Sequence, residues 1–294
     1  MDERDGQLQA ALLEWYAAEG RDLAWRRTRD PYAVLVSEIM LQQTQVSRVE
    51  PRFEAWLRRW PTVDALAEAS PADLLGEWSG LGYNSRALRL HAAAREIAAH
   101  GWPDTEAGLR ALPGIGDYTA AAVAAFAFGL QAAAVDTNQV RVLDRWDAAL
   151  GRSPREVRRR ALELVPPEAP DAWNHALMDL GATICQARAA ACDRCPMATW
   201  CLSAGLVDPQ AERAMRGKPG GGAGARPQRF EDTQRYVRGR IVAALVERGS
   251  VERDALVDAI PDGIEPARVA SALTSLVADG LVDQGPEGLL SLPR

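Results

Sequence analysis

The four cysteines of this chain all fall in one short stretch: Cys185, Cys192, Cys195 and Cys201, separated by six, two and five residues. Four thiolates gathered so closely can converge on one inorganic centre, and four cysteines are the usual ligand set of a [4Fe–4S] cluster. Structural zinc typically draws on two separated C-x2-C knuckles, and here Cys192 and Cys195 form a single one. Two disulfides in so short a loop would constrain little of a 294-residue chain. The spacing favours iron–sulfur, with zinc and disulfides as alternatives, and points to a reducing compartment.

Two carboxylates stand in contexts suited to breaking a glycosidic bond. Glu38 lies in Val36-Ser37-Glu38-Ile39-Met40-Leu41, an apolar setting that favours the protonated acid. Asp136 lies in Val135-Asp136-Thr137-Asn138. An acid can protonate a poor leaving group while a second carboxylate stabilises the sugar cation. The plainer alternatives are a surface carboxylate for Glu38 and a helix N-cap for Asp136. Upstream of Asp136, Leu112-Pro113-Gly114-Ile115-Gly116-Asp117-Tyr118-Thr119 is a tight turn opening into an alanine-rich helix. Backbone N–H groups exposed there could take a phosphate, although glycine-rich turns between helices are common without one.

The elements that must position these residues are helical. From Gln7 to about Asp208, apolar residues recur three and four apart, as in Leu8, Leu12, Trp15 and Tyr16, or Leu88 and Ala92. Strand-like alternation is absent. Thr119 to Gly129, mostly alanine, reads as a close-packed central helix. Residues 209–229, with Gly217-Lys218-Pro219-Gly220-Gly221-Gly222, read as a flexible linker. Beyond it, Ile241 and Leu245, Leu256 and Ile260, and Val269, Leu273 and Leu276 mark three further helices. A hairpin with its turn at Gln284-Gly285-Pro286-Glu287-Gly288 follows, so residues 230–294 suggest a winged-helix-like module.

Hydrophobic residues make up 47% of the chain, enough for well-buried cores. The formal net charge of −6 argues weakly against a nucleic-acid partner. Arginines nevertheless cluster at 141, 145, 152, 155, 158, 159 and 160, and again from Arg213 to Arg240; solvated helix faces are the bland explanation. No apolar run is long enough to span a membrane, and Met1-Asp2-Glu3-Arg4-Asp5 is too charged for a secretory signal. A monomer in a bacterial-type cytosol, associated with the nucleoid, is expected.

The glycine hairpin, the Val135-Asp136-Thr137-Asn138 segment and the cysteine spacing, in that order, resemble the helix-hairpin-helix DNA glycosylases that carry an iron–sulfur cluster. The likeness runs from about Leu12 to Cys201. Ser37-Glu38-Ile39-Met40-Leu41-Gln42-Gln43-Thr44-Gln45-Val46 looks like the signature of MutY-type adenine DNA glycosylases. Trp25-Arg26 before Asp30-Pro31-Tyr32, Gly80-Leu81-Gly82-Tyr83 and Met178-Asp179-Leu180-Gly181-Ala182 are similar too.

The resemblance implies a mainly α, two-lobed domain over residues 1–208. A six-helix lobe would span about 31–136, and a cluster lobe 1–30 plus 137–208. It implies excision of adenine mispaired with 8-oxoguanine or guanine in double-stranded DNA. Glu38 would be the acid at adenine N7 and then the base for water; Asp136, beside Asn138, would stabilise or trap the sugar cation, with Tyr118 nearby. Gln43 and Tyr83 would fill the gap left by the extruded base. Trp25, Arg26 and Leu41 would line the adenine pocket, with His175 where the family commonly has glutamine or glutamate. Gly114 and Gly116 would meet a DNA phosphate, and the four cysteines would hold the [4Fe–4S] cluster.

Related glycosylase/lyases carry a lysine where this chain has Tyr118, and its one lysine, Lys218, lies in the linker. A monofunctional enzyme is therefore expected. Two features depart from the family pattern. Asn84 follows Tyr83 where a second tyrosine is usual, and about 65 residues follow the linker, too few for the large C-terminal domain that reads 8-oxoguanine in typical members. Arg235, Arg238 and Arg240 suggest instead a module that clamps the duplex opposite the catalytic domain. One alternative is a glycosylase of the same fold removing thymine or uracil opposite guanine, disfavoured by Gln42-Gln43, where thymine enzymes have basic residues. The other, a non-catalytic iron–sulfur DNA-binding or redox-sensing protein, gives no reason for Glu38 and Asp136 to accompany the hairpin.

Overall fold

The computed structural model describes residues 2–208, 210, 212, 229–260 and 263–293. The expected linker, 209–229, lies almost wholly outside the described residues. The chain divides into two compact units. The first comprises Met1–Leu35, Pro103–Ala111 and Ile115–Gly221; the second comprises Val36–Trp102, Leu112–Gly114 and Gly222–Arg294.

The first unit is built from α1 (Glu3–Glu19), the opening of α2 (Pro31–Leu41), α7 (Glu106–Ala111), α8 (Asp117–Phe126), α9 (Thr137–Trp146), α10 (Pro154–Leu164) and α11 (Pro170–Thr183). Its core joins Leu8 and Leu12 of α1 to Val142, Leu143 and Trp146 of α9, Val157 and Leu164 of α10, and Trp173, Leu177 and Leu180 of α11. Helix α8 is buried from Thr119 through Phe126, as its alanine run led us to expect. With alanine at most of these positions, neighbouring backbones can approach it closely.

The arginine run of this unit serves the framework. Arg160 bonds both Asp5 and Asp147, Arg152 bonds Asp147, Arg158 bonds Glu106, and buried Arg145 forms a bidentate pair with Glu212. Their charges are spent on internal carboxylates, which explains how basic clustering coexists with a net negative chain.

The second unit contains the rest of α2, then α3 (Val46–Arg59), α4 (Val63–Ala67), α5 (Pro71–Glu77) and α6 (Ser85–His100). Thr62 and Ser70 cap α4 and α5 by accepting from Ala65 and Asp73 N–H groups. Trp56 meets Trp60 and Trp78 edge-on, with ring centroids 4.6 and 5.5 Å apart, and Leu66, Leu74 and Leu90 of this unit are fully buried.

The C-terminal residues of this unit form α12 (Gln234–Arg248), β1 (Ser250–Glu252), α13 (Leu256–Ala259), α14 (Pro266–Ala278), β2 (Asp283–Gln284) and β3 (Leu289–Ser291). The strands make an antiparallel sheet in the order β1-β3-β2, with Val251 opposite Leu290. Three helices and a hairpin match the expected module; β1 was not anticipated, because a strand of three residues shows no alternation to read. Helix α12 packs on α14 and also on α5, where Val246 Cγ1 stands 3.6 Å from the position a Cβ on Gly76 would take.

Candidate active site

Asp136 is the N-cap of α9. Its Oδ1 accepts from the backbone N–H groups of Asn138 and Gln139 at 2.9 and 2.8 Å, and its Oδ2 accepts from Asn138 Nδ2 at 2.8 Å. The plainer reading of Asp136 as a cap is thus correct, and it fixes the carboxylate: Oδ1 uses both of its acceptor sites on the helix start, while Oδ2, with one bond, keeps a second. Asn138 is held in turn: Arg141 Nη2 donates to its Oδ1 at 2.8 Å and to Gly181 O, while Arg141 Nε donates to Cys185 O at 2.8 Å. A continuous polar chain therefore runs from the aspartate to the first cysteine. Gly181 makes the close approach possible, since a Cβ there would lie 2.6 Å from Asn138 Cβ.

Elsewhere in the same unit, Tyr16, Trp25, Arg26, Thr28, Phe126 and His175 border a cleft of about 460 Å³. Trp25 is buried in a 3-10 turn, Ala24–Arg26. Asp179, also buried, accepts both guanidinium nitrogens of Arg26 at 2.7 and 2.8 Å, plus the backbone and side chain of Arg21. Burial pushes the Asp179 carboxyl up, but the two arginines hold it below the usual carboxylate range. Arg26 is thereby fixed at the cleft. His175 stacks on Phe126 with ring centroids 4.0 Å apart. Burial, with Arg26 nearby, pushes its imidazole down to about 3, so the ring is neutral and offers one donor and one acceptor.

In the second unit, Glu38 is 5% exposed on a segment of α2 buried from Tyr32 through Met40, which excludes a surface carboxylate. A carboxyl in such a place is costly to bury and is the kind of group retained for function. Leu41 is half-buried, while Gln43 and Tyr83 are exposed. The last two share an unusual feature: left-handed backbone, with φ of 55° and 48°. Such positions cost of order 1–3 kcal/mol each and persist only where the surroundings enforce them.

Arg86 enforces both. Its buried guanidinium donates to the carbonyls of Ile39, Met40 and Gln42, to Thr44 Oγ1, and to the carbonyls of Leu81 and Gly82, at 2.5–3.1 Å. One side chain ties the Gln43 turn to the Tyr83 turn. Gly114, at φ 73°, permits a close pass over Arg89, whose Cβ would lie 2.5 Å from any Cβ at that position.

Gly116 is the N-cap of α8, without a side-chain cap, and Tyr118 is half-buried in the first turn of that helix. Asp117 there is paired with Arg110 at 2.6 Å, which offsets its charge beside the open helix end.

The four cysteines line one hollow together with Arg145, Trp146, Leu180 and Ile184. Arg145 Nη1 lies 3.3 Å from Cys185 Sγ. Burial pushes the Cys195 thiol up to about 11, and raises Cys201 as well. Among the described residues, no three histidines, cysteines or acids are arranged to hold a single metal ion.

Residues 36–167 match the family described as HhH-GPD superfamily base excision DNA repair protein. The adenine DNA glycosylase of Mycolicibacterium smegmatis is 42% identical over 96% of this chain and 94% of that one. The chain belongs to the adenine DNA glycosylases. The Mycobacterium tuberculosis member is 41% identical over 96% of this chain and 92% of its own length. The human member is 39% identical over 72% of this chain and 42% of its own. A thermostable thymine-DNA glycosylase structure superposes with a TM-score of 0.66 at 29% identity, covering 70% of this chain and 98% of that one. An endonuclease III–DNA complex shares the fold at a TM-score of 0.59 and 22% identity, covering 70% of this chain and 98% of that one. The match to the two mycobacterial glycosylases is long enough to include the C-terminal module.

Within this adenine DNA glycosylase, the units divide the expected site residues. Trp25, Arg26 and His175 share the cleft, and Asp136 and Asn138 share the polar chain to the cysteines. Glu38, Leu41, Gln43, Tyr83 and Gly114 belong to the second unit. Arg86 escaped the sequence reading, because nothing local distinguishes a buried, six-bonded arginine from a surface one, and Arg141 figured there only as a member of the arginine cluster. Gly181 did leave a trace: a glycine inside a helical pattern signals close approach.

Proposed function

We propose that this enzyme excises adenine mispaired with 8-oxoguanine or guanine from double-stranded DNA, hydrolysing the N-glycosidic bond and leaving the strand intact. The observation that carries this reading is the Asp136 carboxylate, held at both oxygens by Asn138 and the start of α9. Breaking the bond makes the sugar cationic, and a fixed carboxylate stabilises that charge without reorganising. Glu38, in its apolar setting, supplies the proton to adenine N7 and then takes one from the attacking water. Gln43 and Tyr83 fill the space the base vacates, and Trp25, Arg26, Leu41 and His175 receive the base. Gly114 and Gly116 offer backbone N–H groups to a phosphate. With tyrosine at position 118, no lysine of the hairpin helix attacks the sugar, so strand cleavage is not expected.

Cys185, Cys192, Cys195 and Cys201 fit a [4Fe–4S] cluster better than a single ion, since all four border one hollow and no three of them suit a mononuclear site. Bound there, the cluster supplies a cross-link for the loop from Cys185 to Cys201. Through Arg141 that loop supports Asn138.

Single-turnover excision on duplexes pairing adenine with 8-oxoguanine, guanine or cytosine, beside thymine and uracil opposite guanine, tests the proposal. Adenine release opposite 8-oxoguanine and guanine, with strands cut only after alkali, is expected. Preferential release of thymine or uracil would assign the enzyme to the other branch of the fold. Iron and sulfide near four per chain are expected; one zinc would refute the cluster.

A further inference from the structure

The C-terminal module reaches one residue of the proposed DNA-reading surface directly. Arg235, in the first turn of α12, donates from Nη1 to the Tyr83 hydroxyl at 2.5 Å, with its guanidinium carbon 5.0 Å from the centre of the Tyr83 ring. The same guanidinium lies 5.1 Å from the ring of Phe230, which is 50% exposed. On the other side of the turn, Arg86 lies 5.6 Å from the Tyr83 ring centre.

Two other arginines of the module are engaged within it. Arg238 bonds Ser275 and Asp279, and Arg268 donates to the Glu231 and Thr233 carbonyls. The exposed positions of α14, which include Ala267, Ala270, Ser271, Thr274 and Val277, carry no cation. A clamp on the duplex built from Arg235, Arg238 and Arg240 needs phosphate-facing positive charge; here Arg235 is directed at Tyr83 and Arg238 at Asp279.

We propose that Arg235 is a positioning residue for Tyr83: the module acts on mismatch reading by holding the tyrosine ring ready for insertion, not by adding phosphate contacts. This rests on the proposed role of Tyr83 as a gap-filling residue. An exposed aromatic side chain ordered only on binding loses affinity through its lost rotamer freedom. A cation over the ring and a hydrogen bond to the hydroxyl order it beforehand. Anchoring comes from α12 packed on α5, so the support is rigid rather than tethered.

The test uses the full-length chain with Arg235→Ala, Arg235→Lys, Tyr83→Phe, Tyr83→Ala and the Arg235→Ala/Tyr83→Phe double variant. Binding to an adenine·8-oxoguanine duplex and to a matched duplex is measured across salt concentrations. Arg235→Ala should lower the mismatch-over-matched preference about fivefold to tenfold with an unchanged salt slope. Arg235→Lys should restore part of it, and the double variant should lose less than the sum of the singles. Equal weakening on both duplexes with a slope reduced by about one would make Arg235 a phosphate contact and overturn the proposal. An unchanged preference in Arg235→Ala, with Tyr83→Ala defective, would overturn it alone. An intact preference in Tyr83→Ala would remove the underlying role of Tyr83 as well.

Discussion

Asn138 donates its side-chain N–H to Asp136 Oδ2 at 2.8 Å while its own carbonyl accepts from Arg141 at 2.8 Å. The aspartate is therefore positioned by a residue that is itself fixed from the cysteine loop, through Arg141 and Cys185 O. Orientation of the carboxylate and integrity of that loop become one property.

Gly181→Ala tests this coupling from the far side. The added methyl would stand 2.6 Å from Asn138 Cβ and 3.3 Å from Arg141 Nη2, so both must shift. Single-turnover excision should fall about tenfold to a hundredfold, since small misplacements of a catalytic group are costly. Mismatch affinity should change little. Excision at the wild-type rate would show that the chain from Asp136 to Cys185 does not govern the carboxylate.

His175 gives a signature in pH. Its folded value of about 3 lies below the unfolded imidazole near 6.5, so the unfolded chain takes up a proton that the folded chain refuses. Stability should fall as pH drops below about 6.5. His175→Gln removes that term and should unfold with a shallower acid decline, by up to about 2 kcal/mol at pH 5. Chemical denaturation of both proteins between pH 7.5 and 5 decides; parallel declines would contradict a ring held neutral in the fold.

Much of this architecture was legible in the sequence because its signals are local. The glycine hairpin, the alanine helix α8, the cysteine loop and the terminal hairpin each announce themselves within about twenty residues. The arrangement around Asp136 was half legible: the cap follows from its place before a helix, but Arg141 and Gly181 act across 40 residues of sequence. The arginine run at 141–160 misled for the complementary reason. Which arginines meet carboxylates, as Arg160 does with Asp5, is decided by packing that no short window contains.

Arg86 is the strongest case of such long-range order. Burial pushes its guanidinium down to about 10, still charged at neutral pH, and its bonds bridge two strained turns. Arg86→Met would leave several buried carbonyls unpaired, at about 1–3 kcal/mol for such groups, so a total loss of about 3 kcal/mol or more is expected in denaturation experiments. Mismatch preference should drop with it, because Gln43 and Tyr83 lose their common anchor. A stable variant with normal preference would show that the turns hold themselves.

Glycosidic cleavage assisted by Asp136 is tested most directly by Asp136→Asn, read by single-turnover excision on an adenine·8-oxoguanine duplex. Asparagine can still cap α9, so the fold and the mismatch affinity should persist while the charge facing the sugar is lost. Excision should fall by about a thousandfold or more, and Glu38→Gln should fail comparably without rescue at higher pH. Turnover by Asp136→Asn within a few-fold of the unmodified enzyme, on a duplex it demonstrably binds, would contradict the assignment.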